Sequence, residues 1–142
     1  MDVPTCTVHK LVADVALFAN GQVALVRYRD AAVYDRQTGW FLPDDYLDYL
    51  EHPDTAARRI VAEQLGLADI AVNLDHIESF KGNDDTWHLI FHYAATLDSI
   101  PTAVQSDKLA QLQWFPLDTL PERGDVAHHG WALDVIATMC AS

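Results

Sequence analysis

The stretch that decides the fold runs from Asp45 to Leu67 and reads DYLDYLEHPDTAARRIVAEQLGL. Pro53 suits the first position of a helix, and no helix breaker follows it before Gly66. Glycine takes the left-handed conformation that ends many helices at the lowest cost. The stretch therefore predicts an acidic and apolar loop, followed by a helix that begins at Pro53 and ends before Gly66.

Strand patterns lie on both sides of this helix. Leu11 to Tyr28 contains two apolar, β-branched runs separated by Asn20-Gly21, a pair that favours a two-residue hairpin turn. Further strands are predicted over residues 40–42, 70–80, 87–97 and 111–117, and a final helix over 129–139. Strands interleaved with helices in this order predict an α/β fold with a mixed β-sheet covered by helices.

Composition narrows the class of protein. With 142 residues, half of them hydrophobic, the chain is expected to form a single domain over 1–142. It has no long apolar stretch, so we expect no membrane association and a cytoplasmic location. The formal charge of -12 opposes binding to a nucleic acid polymer, whereas a small phosphorylated molecule remains compatible if cations are placed locally.

The two cysteines give no sign of a metal cluster or a disulfide framework. Cys6 and Cys140 stand near opposite ends of the chain, without the paired spacing of a zinc site. We interpret both as ordinary thiols.

The 45–67 stretch resembles the signature of the Nudix family, and we call it the box. That signature is a glycine, five residues, a glutamate, seven residues, then Arg-Glu-apolar-any-Glu-Glu-any-Gly-apolar. Aligned on Gly66, its first glutamate falls on Glu51, its arginine on Arg59 and the first of its paired glutamates on Glu63. The segments 39–43 and 114–121 also resemble that family, so the likeness covers most of the chain.

The resemblance implies a Nudix-like α/β/α sandwich that hydrolyses a diphosphate linked to another moiety. It also implies Mg²⁺ or Mn²⁺ held by box carboxylates, a small phosphorylated partner and a homodimer. The chemical reason for the metal is that phosphoryl oxygens need cations to offset the charge that builds up during attack by water.

The helix face on which the family displays its carboxylates is depleted in this chain. Ile60, Glu63 and Gln64 share that face at helical spacing. Ile60 replaces a glutamate that coordinates metal and assists the water, and Gln64 replaces a second ligating glutamate with a neutral amide. Restoring both, with Ile60→Glu and Gln64→Glu together, would reveal whether this face limits the chemistry.

Roles for the remaining box residues follow from the resemblance. Glu51 and Arg59 match a pair that braces the loop against the helix. The predicted catalytic residues are Glu63, Gln64 and Arg59, and the predicted metal ligands are Glu63, Asp45, Asp44 and Glu51. Asp44, Asp45 and Asp48 either supply carboxylates that the helix has lost or form a solvated acidic turn.

Other polar and aromatic residues could bind a ligand or have an ordinary structural role. Arg27 and Arg29, at the end of the first hairpin, are predicted to bind substrate, although surface solubility is the commoner role. The candidates to stack on a nucleobase are Tyr34, Trp40, Phe80 and Trp87, but such residues more often belong to the core. His52 is expected to cap the main helix.

His88 and His92 alternate with apolar residues on one predicted strand. Their side chains would lie roughly 13 Å apart along it, too far to share one metal. Ordinary hydrogen-bonded roles are favoured for both.

Two functions stay open at this point. The first is a Nudix-type hydrolase, slow or with a rearranged metal site, in which Glu63 is the principal surviving ligand or base. The second is a noncatalytic Nudix-like module that binds a nucleotide or another protein. A purely structural partner-binding domain is the weakest alternative.

Overall fold

The computed structural model describes residues 9–33, 36–82 and 85–141. Cys6, interpreted as an ordinary thiol, and Tyr34, a stacking candidate, lie outside the described residues. Cys140 is an exposed free thiol.

A mixed β-sheet forms the centre of the fold. Its strands are β1 His9–Ala19, β2 Gln22–Tyr28, β3 Asp44–Tyr46, β4 Asn73–Lys81, β5 Trp87–Leu97 and β6 Leu109–Pro116. The spatial order is β4-β5-β1-β2-β6, with β1 and β5 parallel and the other pairs antiparallel. The short strand β3 also pairs with β1. The predicted hairpins and the mixed sheet are confirmed.

The first hairpin opens immediately after its turn. Asn20 and Gly21 hold the turn with positive φ angles of 50° and 71°, and β1 pairs with β2 only at the two positions next to it. Farther along, residues 40–46 are inserted between the two strands. Phe41 exchanges main-chain hydrogen bonds with Val26 of β2, and Pro43 accepts one from Val15 of β1.

This insertion corrects the strand predicted over residues 40–42. Trp40 and Phe41 form only isolated bridges, and the regular strand begins at Asp44. The physical reason is that the segment changes partner from β2 to β1 at Pro43, which has no N–H to donate. Asp44 and Asp45 therefore lie in a strand, where Asp45 pairs with Ala13.

One helix covers each face of the sheet. Helix α1, Pro53–Leu65, has His52 as its N-cap, and the His52 Nδ1 accepts a hydrogen bond from the Asp54 amide at 3.1 Å. Gly66 ends it in the left-handed conformation, with φ 69°. Both predicted caps are confirmed.

Helix α2, Ala127–Ala141, contains three residues of positive φ near its start, His128 to Gly130, so its regular part follows Gly130. It packs with β1 and β2 through Ala16, Val23, Leu25, Val135 and Ile136. On the opposite face, α1 packs through Ala57, Val61 and Leu65 against Val15 and Leu17. These two cores confirm an α/β fold with a helix on either side of a mixed sheet.

No helix in the described ranges is long and apolar enough to cross a membrane.

Candidate functional site

Arg59 joins helix α1 to the loop that precedes it. Its Nε and Nη2 lie 2.8 and 2.9 Å from the two carboxylate oxygens of Glu51, and Nη2 also donates to the main-chain oxygen of Tyr46 at 2.9 Å. Such a bidentate pair is among the stronger side-chain contacts. The hydrogen bond to Arg59 lowers the pKa of Glu51 and raises that of Arg59. The predicted brace between loop and helix is confirmed.

Three further carboxylates approach the same guanidinium. Asp45 and Glu63 lie 3.3 and 3.4 Å from its Nη1, and Asp48 lies 3.6 Å from its Nε. Asp45 also has Lys108 at 3.8 Å. The box thus brings together most of its predicted metal ligands, but around a protein cation.

The brace makes a prediction about stability at low pH. We expect Glu51→Gln to lower the free energy of unfolding at neutral pH by about 1–2 kcal/mol, because a charge-assisted hydrogen bond is lost while other carboxylates still face Arg59. The pKa of Glu51 is lowered by folding, so its contribution is complete above the unfolded pKa of 4.5 and disappears as pH falls through the folded value.

Urea unfolding of wild type and Glu51→Gln at several pH values measures this difference. It should be constant near neutrality and shrink below the unfolded pKa. The exposed Asp48→Asn serves as control and should change stability by no more than about 0.5 kcal/mol. A Glu51→Gln cost that persisted undiminished at low pH would contradict the assignment.

Ile60 and Gln64, the two departures from the box signature, are both buried. Ile60 is 0% exposed and packs in a cluster with Ala13 and Ala56. Gln64 is 1% exposed, and its Nε2 donates to the main-chain oxygen of Asp44 at 2.8 Å. Of the three residues on the expected ligand face, only Glu63 reaches solvent, with half of its side chain exposed.

Tyr28 completes the environment of Gln64. The Tyr28 hydroxyl donates to the Gln64 Oε1 at 2.9 Å and accepts from the Asp44 amide at 2.8 Å. Gln64, Asp44 and Tyr28 thus form a closed ring of hydrogen bonds, which we call the amide ring. Nothing in the sequence indicated a role for Tyr28, because its position depends on the insertion of residues 40–46 beside β2.

This arrangement does not fit a Mg²⁺ or Mn²⁺ ion in the box. Both cations require several oxygen ligands. Gln64 presents an N–H group to the Asp44 carbonyl, its own oxygen accepts from Tyr28, and Glu63 faces Arg59. A cation would have to displace these protein donors. The metal roles of Glu63, Asp45, Asp44 and Glu51 stay predictions.

A cavity of about 620 Å³ opens beside β3, on the side of the sheet covered by α2. Asp44 and Asp45 of β3 reach it, as do cationic and aromatic side chains. The cationic residues are Lys10, Arg36 and Lys81, and the aromatic ones are Phe41, Tyr46, Phe80 and Trp131.

The predicted substrate-binding arginines lie elsewhere. The Arg27 guanidinium lies 4.4 Å from the ring centroid of Trp40, a core residue that is 5% exposed. Arg29 is exposed just beyond β2. Neither is among the described residues that line the cavity. Of the stacking candidates within the described ranges, Phe80 lines the cavity, whereas Trp40 and Trp87 do not.

A second polar cluster lies on the α2 face of β1, β4 and β5. His92 is fully buried, and its Nδ1 and Nε2 lie 2.7 Å from Asp14 and Glu78 respectively. Burial lowers the pKa of His92, but the two carboxylates outweigh that effect and raise it. Burial raises the pKa of Asp14. The expected hydrogen-bonded role of His92 is confirmed.

His76 completes this cluster from β4. Its ring centroid lies 4.5 Å from that of His92, directly across the strand pair. The cluster was missed because the sequence does not fix the register between β4 and β5. The available signal was His76-Ile77-Glu78, in which the two polar residues share a strand face.

Comparison with known proteins identifies the fold. Residues 8–134 match the family model described as the NUDIX domain. A MutT NUDIX hydrolase from Burkholderia pseudomallei superposes with a TM-score of 0.74 at 22% identity, over 91% of this chain and 96% of that one. A search of curated proteins found no match.

Two further solved structures are also similar. The NUDIX domain of Shewanella oneidensis NrtR, complexed with ADP ribose, gives a TM-score of 0.73 at 18% identity, covering 94% of this chain and 87% of that one. A Caenorhabditis elegans Ap4A hydrolase in a binary complex gives 0.69 at 14% identity, covering 93% and 98%. At these identities the likeness concerns the fold.

Proposed function

We propose that this chain, which belongs to the Nudix family, binds a small diphosphate-containing molecule of the nucleotide class in the cavity beside β3. The observation that carries the proposal is the convergence of Lys10, Arg36 and Lys81 on that cavity. Three cationic side chains line this concave site against two carboxylates, Asp44 and Asp45, so the cavity is locally positive in a chain with a formal charge of -12. Phosphate oxygens are the ligand groups that such a field favours.

Lys81 has an ion pair that a ligand can replace. Its Nζ lies 3.0 Å from Asp85, and both side chains are more than 70% exposed. Exposed pairs of this kind contribute little to stability, so redirecting the ammonium group to a phosphate costs little.

Aromatic surface in the same cavity supports a nucleotide-like ligand. Phe80 is 40% exposed and stacks on His88 with ring centroids 5.1 Å apart. Phe41 and Trp131 line the wall. Aromatic rings next to cationic side chains suit a ligand in which a base or another flat group is joined to phosphates. The ADP ribose complex of the similar NrtR domain makes ADP-ribose the first probe to try.

In this proposal the box acts mainly as scaffold. Arg59 of the box is shared among several carboxylates. In the amide ring, the Asp44 main-chain oxygen and the Gln64 side-chain amide are already hydrogen-bonded within the protein. Binding without fast turnover is therefore favoured over efficient metal-dependent hydrolysis.

Slow hydrolysis of the same class of molecule is the second candidate. It is favoured by Glu63, which keeps a half-exposed carboxylate, and by Asp45, which reaches both the cavity and Arg59. In a hydrolytic step Glu63 would accept a proton from the attacking water, after its contact with Arg59 had opened.

Calorimetric titration with ADP-ribose tests the binding proposal. We expect saturable binding, and we expect Lys10→Gln to weaken it roughly tenfold, about 1.4 kcal/mol, by removing one phosphate contact. Arg29→Gln removes the same charge outside the cavity and is the matched control, with an expected change below about twofold.

Three outcomes separate the alternatives. Equal weakening by Arg29→Gln would place the ligand at β2, as the sequence first suggested. No binding of ADP-ribose or of other nucleoside diphosphate derivatives up to about 1 mM would contradict the proposal. Turnover of a bound derivative with Mn²⁺, abolished by Glu63→Gln, would establish the second candidate instead.

A further inference from the structure

The geometry points to a transition-metal site formed by His76, Glu78 and His92, separate from the box. Each of these residues offers a ligand atom, and the three atoms lie within 4.8 Å of one another. Two imidazoles and one carboxylate are the donor set of many zinc sites that keep an open position.

The strand pairing brings the three ligands together. His76 and Glu78 alternate on one face of β4, and His92 of β5 lies directly opposite His76. Around a tetrahedral Zn²⁺, with bonds of about 2.0–2.1 Å, ligand atoms are roughly 3.3 Å apart. Separations of up to 4.8 Å would therefore contract by at most about 1.5 Å, while the His92 Nε2 and Glu78 Oε1, now 2.7 Å apart, would move apart by about 0.6 Å. His76 and Glu78 are 25% and 37% exposed and can make that adjustment, while His92 is fixed by burial.

Two further carboxylates orient the imidazoles for a metal. The Nδ1 of His92 lies 2.7 Å from Asp14, and the Nδ1 of His76 lies 2.5 Å from Asp75. Each contact engages Nδ1, so Nε2 is the nitrogen that would coordinate; for His92, a metal would replace the present 2.7 Å contact between Nε2 and Glu78. A carboxylate behind each histidine is the arrangement that fixes tautomer and ring orientation in metal sites.

The charge balance also favours a bound cation. Asp14 is fully buried, and its Oδ2 has no hydrogen-bond partner among the described residues. Together with Glu78 and Asp75 it surrounds two imidazoles with three carboxylates. A dication at the centre offsets that negative charge in a partly buried place.

Trp131 closes one side of the site. Its indole nitrogen donates to the Glu78 Oε1 at 3.1 Å, and its ring packs 5.2 Å from that of His92. Because imidazole ligands favour zinc and its neighbours over Mg²⁺, the proposed occupant is a divalent ion of that class.

The alternative is a metal-free network in which a protonated His92 bridges Asp14 and Glu78. Zn²⁺ titration of the full-length chain, freed of metal and carrying Cys140→Ser to remove the exposed thiol, separates the two. We expect uptake of one equivalent with a Kd below about 10 μM. Replacing Zn²⁺ by Co²⁺ should give the visible absorption of a tetrahedral complex.

Substitutions then assign the site. His76→Gln and Glu78→Gln should each weaken Zn²⁺ binding by at least roughly tenfold, and Asp75→Asn by about 10–100-fold through His76. His9→Gln removes an exposed histidine at the start of β1 and should leave binding unchanged. Circular dichroism in the presence of a chelator checks that each variant is folded. Because the side chains at positions 75, 76 and 78 are partly exposed, we expect their substitution to leave the metal-free fold intact.

Failure to take up Zn²⁺ at that affinity would overturn the inference in favour of the metal-free network. Stoichiometric binding unaffected by both His76→Gln and Glu78→Gln would overturn it too, by placing the metal elsewhere. The result is independent of the cavity, because Zn²⁺ is titrated without any phosphorylated ligand.

Discussion

Gln64→Glu is expected to lower the free energy of unfolding by about 3 kcal/mol in the absence of divalent cations, and Mn²⁺ is expected to restore much of it. The substitution replaces the N–H that bonds to the Asp44 carbonyl with a second oxygen, and it buries a charge at a position that is 1% exposed. An unpaired buried charge of this kind is strongly destabilising. Hard cations bind oxygen ligands, so Mn²⁺ can bridge the Asp44 carbonyl oxygen and the new carboxylate oxygen at position 64.

Thermal unfolding with chelator and with Mn²⁺ measures both effects. The loss corresponds to roughly 10 °C in Tm for a domain of this size. Gln64→Met is the matched control, since it also breaks the amide ring but offers no oxygen ligand. It should be destabilised without any recovery in Mn²⁺. If Mn²⁺ stabilised the wild type as much as Gln64→Glu, the native box would hold metal after all, as its resemblance to the family implied.

Ile60→Glu is expected to be the most damaging single substitution in the box, lowering the free energy of unfolding by about 4 kcal/mol. Ile60 is 0% exposed and packs with Ala13 and Ala56 under β1, with Leu47 and Phe91 beside them. A carboxylate there has no cation within the cluster to pair with, and buried unpaired charges account for the largest effects of point mutations.

Urea unfolding provides the comparison, with Ile60→Val as control at an expected cost of about 1 kcal/mol. An Ile60→Glu variant within about 1 kcal/mol of the wild type would mean that the new side chain reaches solvent. The double restoration of Ile60→Glu with Gln64→Glu is therefore interpretable only when the stability of each variant is known. A gain in turnover from it requires Mn²⁺ to hold the two carboxylates together.

Local signals predicted much of this fold. The turn and cap signals depend only on neighbouring residues in the sequence. Each takes the conformation that its chemistry favours, as seen at Asn20-Gly21, His52 and Gly66. The Glu51–Arg59 brace followed from the family spacing. These features do not depend on which distant strand becomes a neighbour.

The parts that escaped prediction depend on distant pairing. Tyr28 reaches Gln64 only because residues 40–46 are inserted between β1 and β2. His76 meets His92 through a register that shifts between Leu74 and His76. A slip of one residue in a strand reverses which side chains face a given layer of the fold. The periodicity of the sequence alone therefore could not predict that Tyr28 contacts Gln64 or that His76 contacts His92.

The amide ring also has a consequence for thermodynamic linkage. In a site where metal and phosphate share contacts, each ligand changes the affinity for the other by the same factor, so occupancy follows the concentrations of both. Here Gln64 supplies with its own N–H the contact to Asp44 that a cation would otherwise make. The coupling free energy between box metal and cavity ligand is then expected to be near zero, and occupancy of the cavity should follow the concentration of its ligand alone.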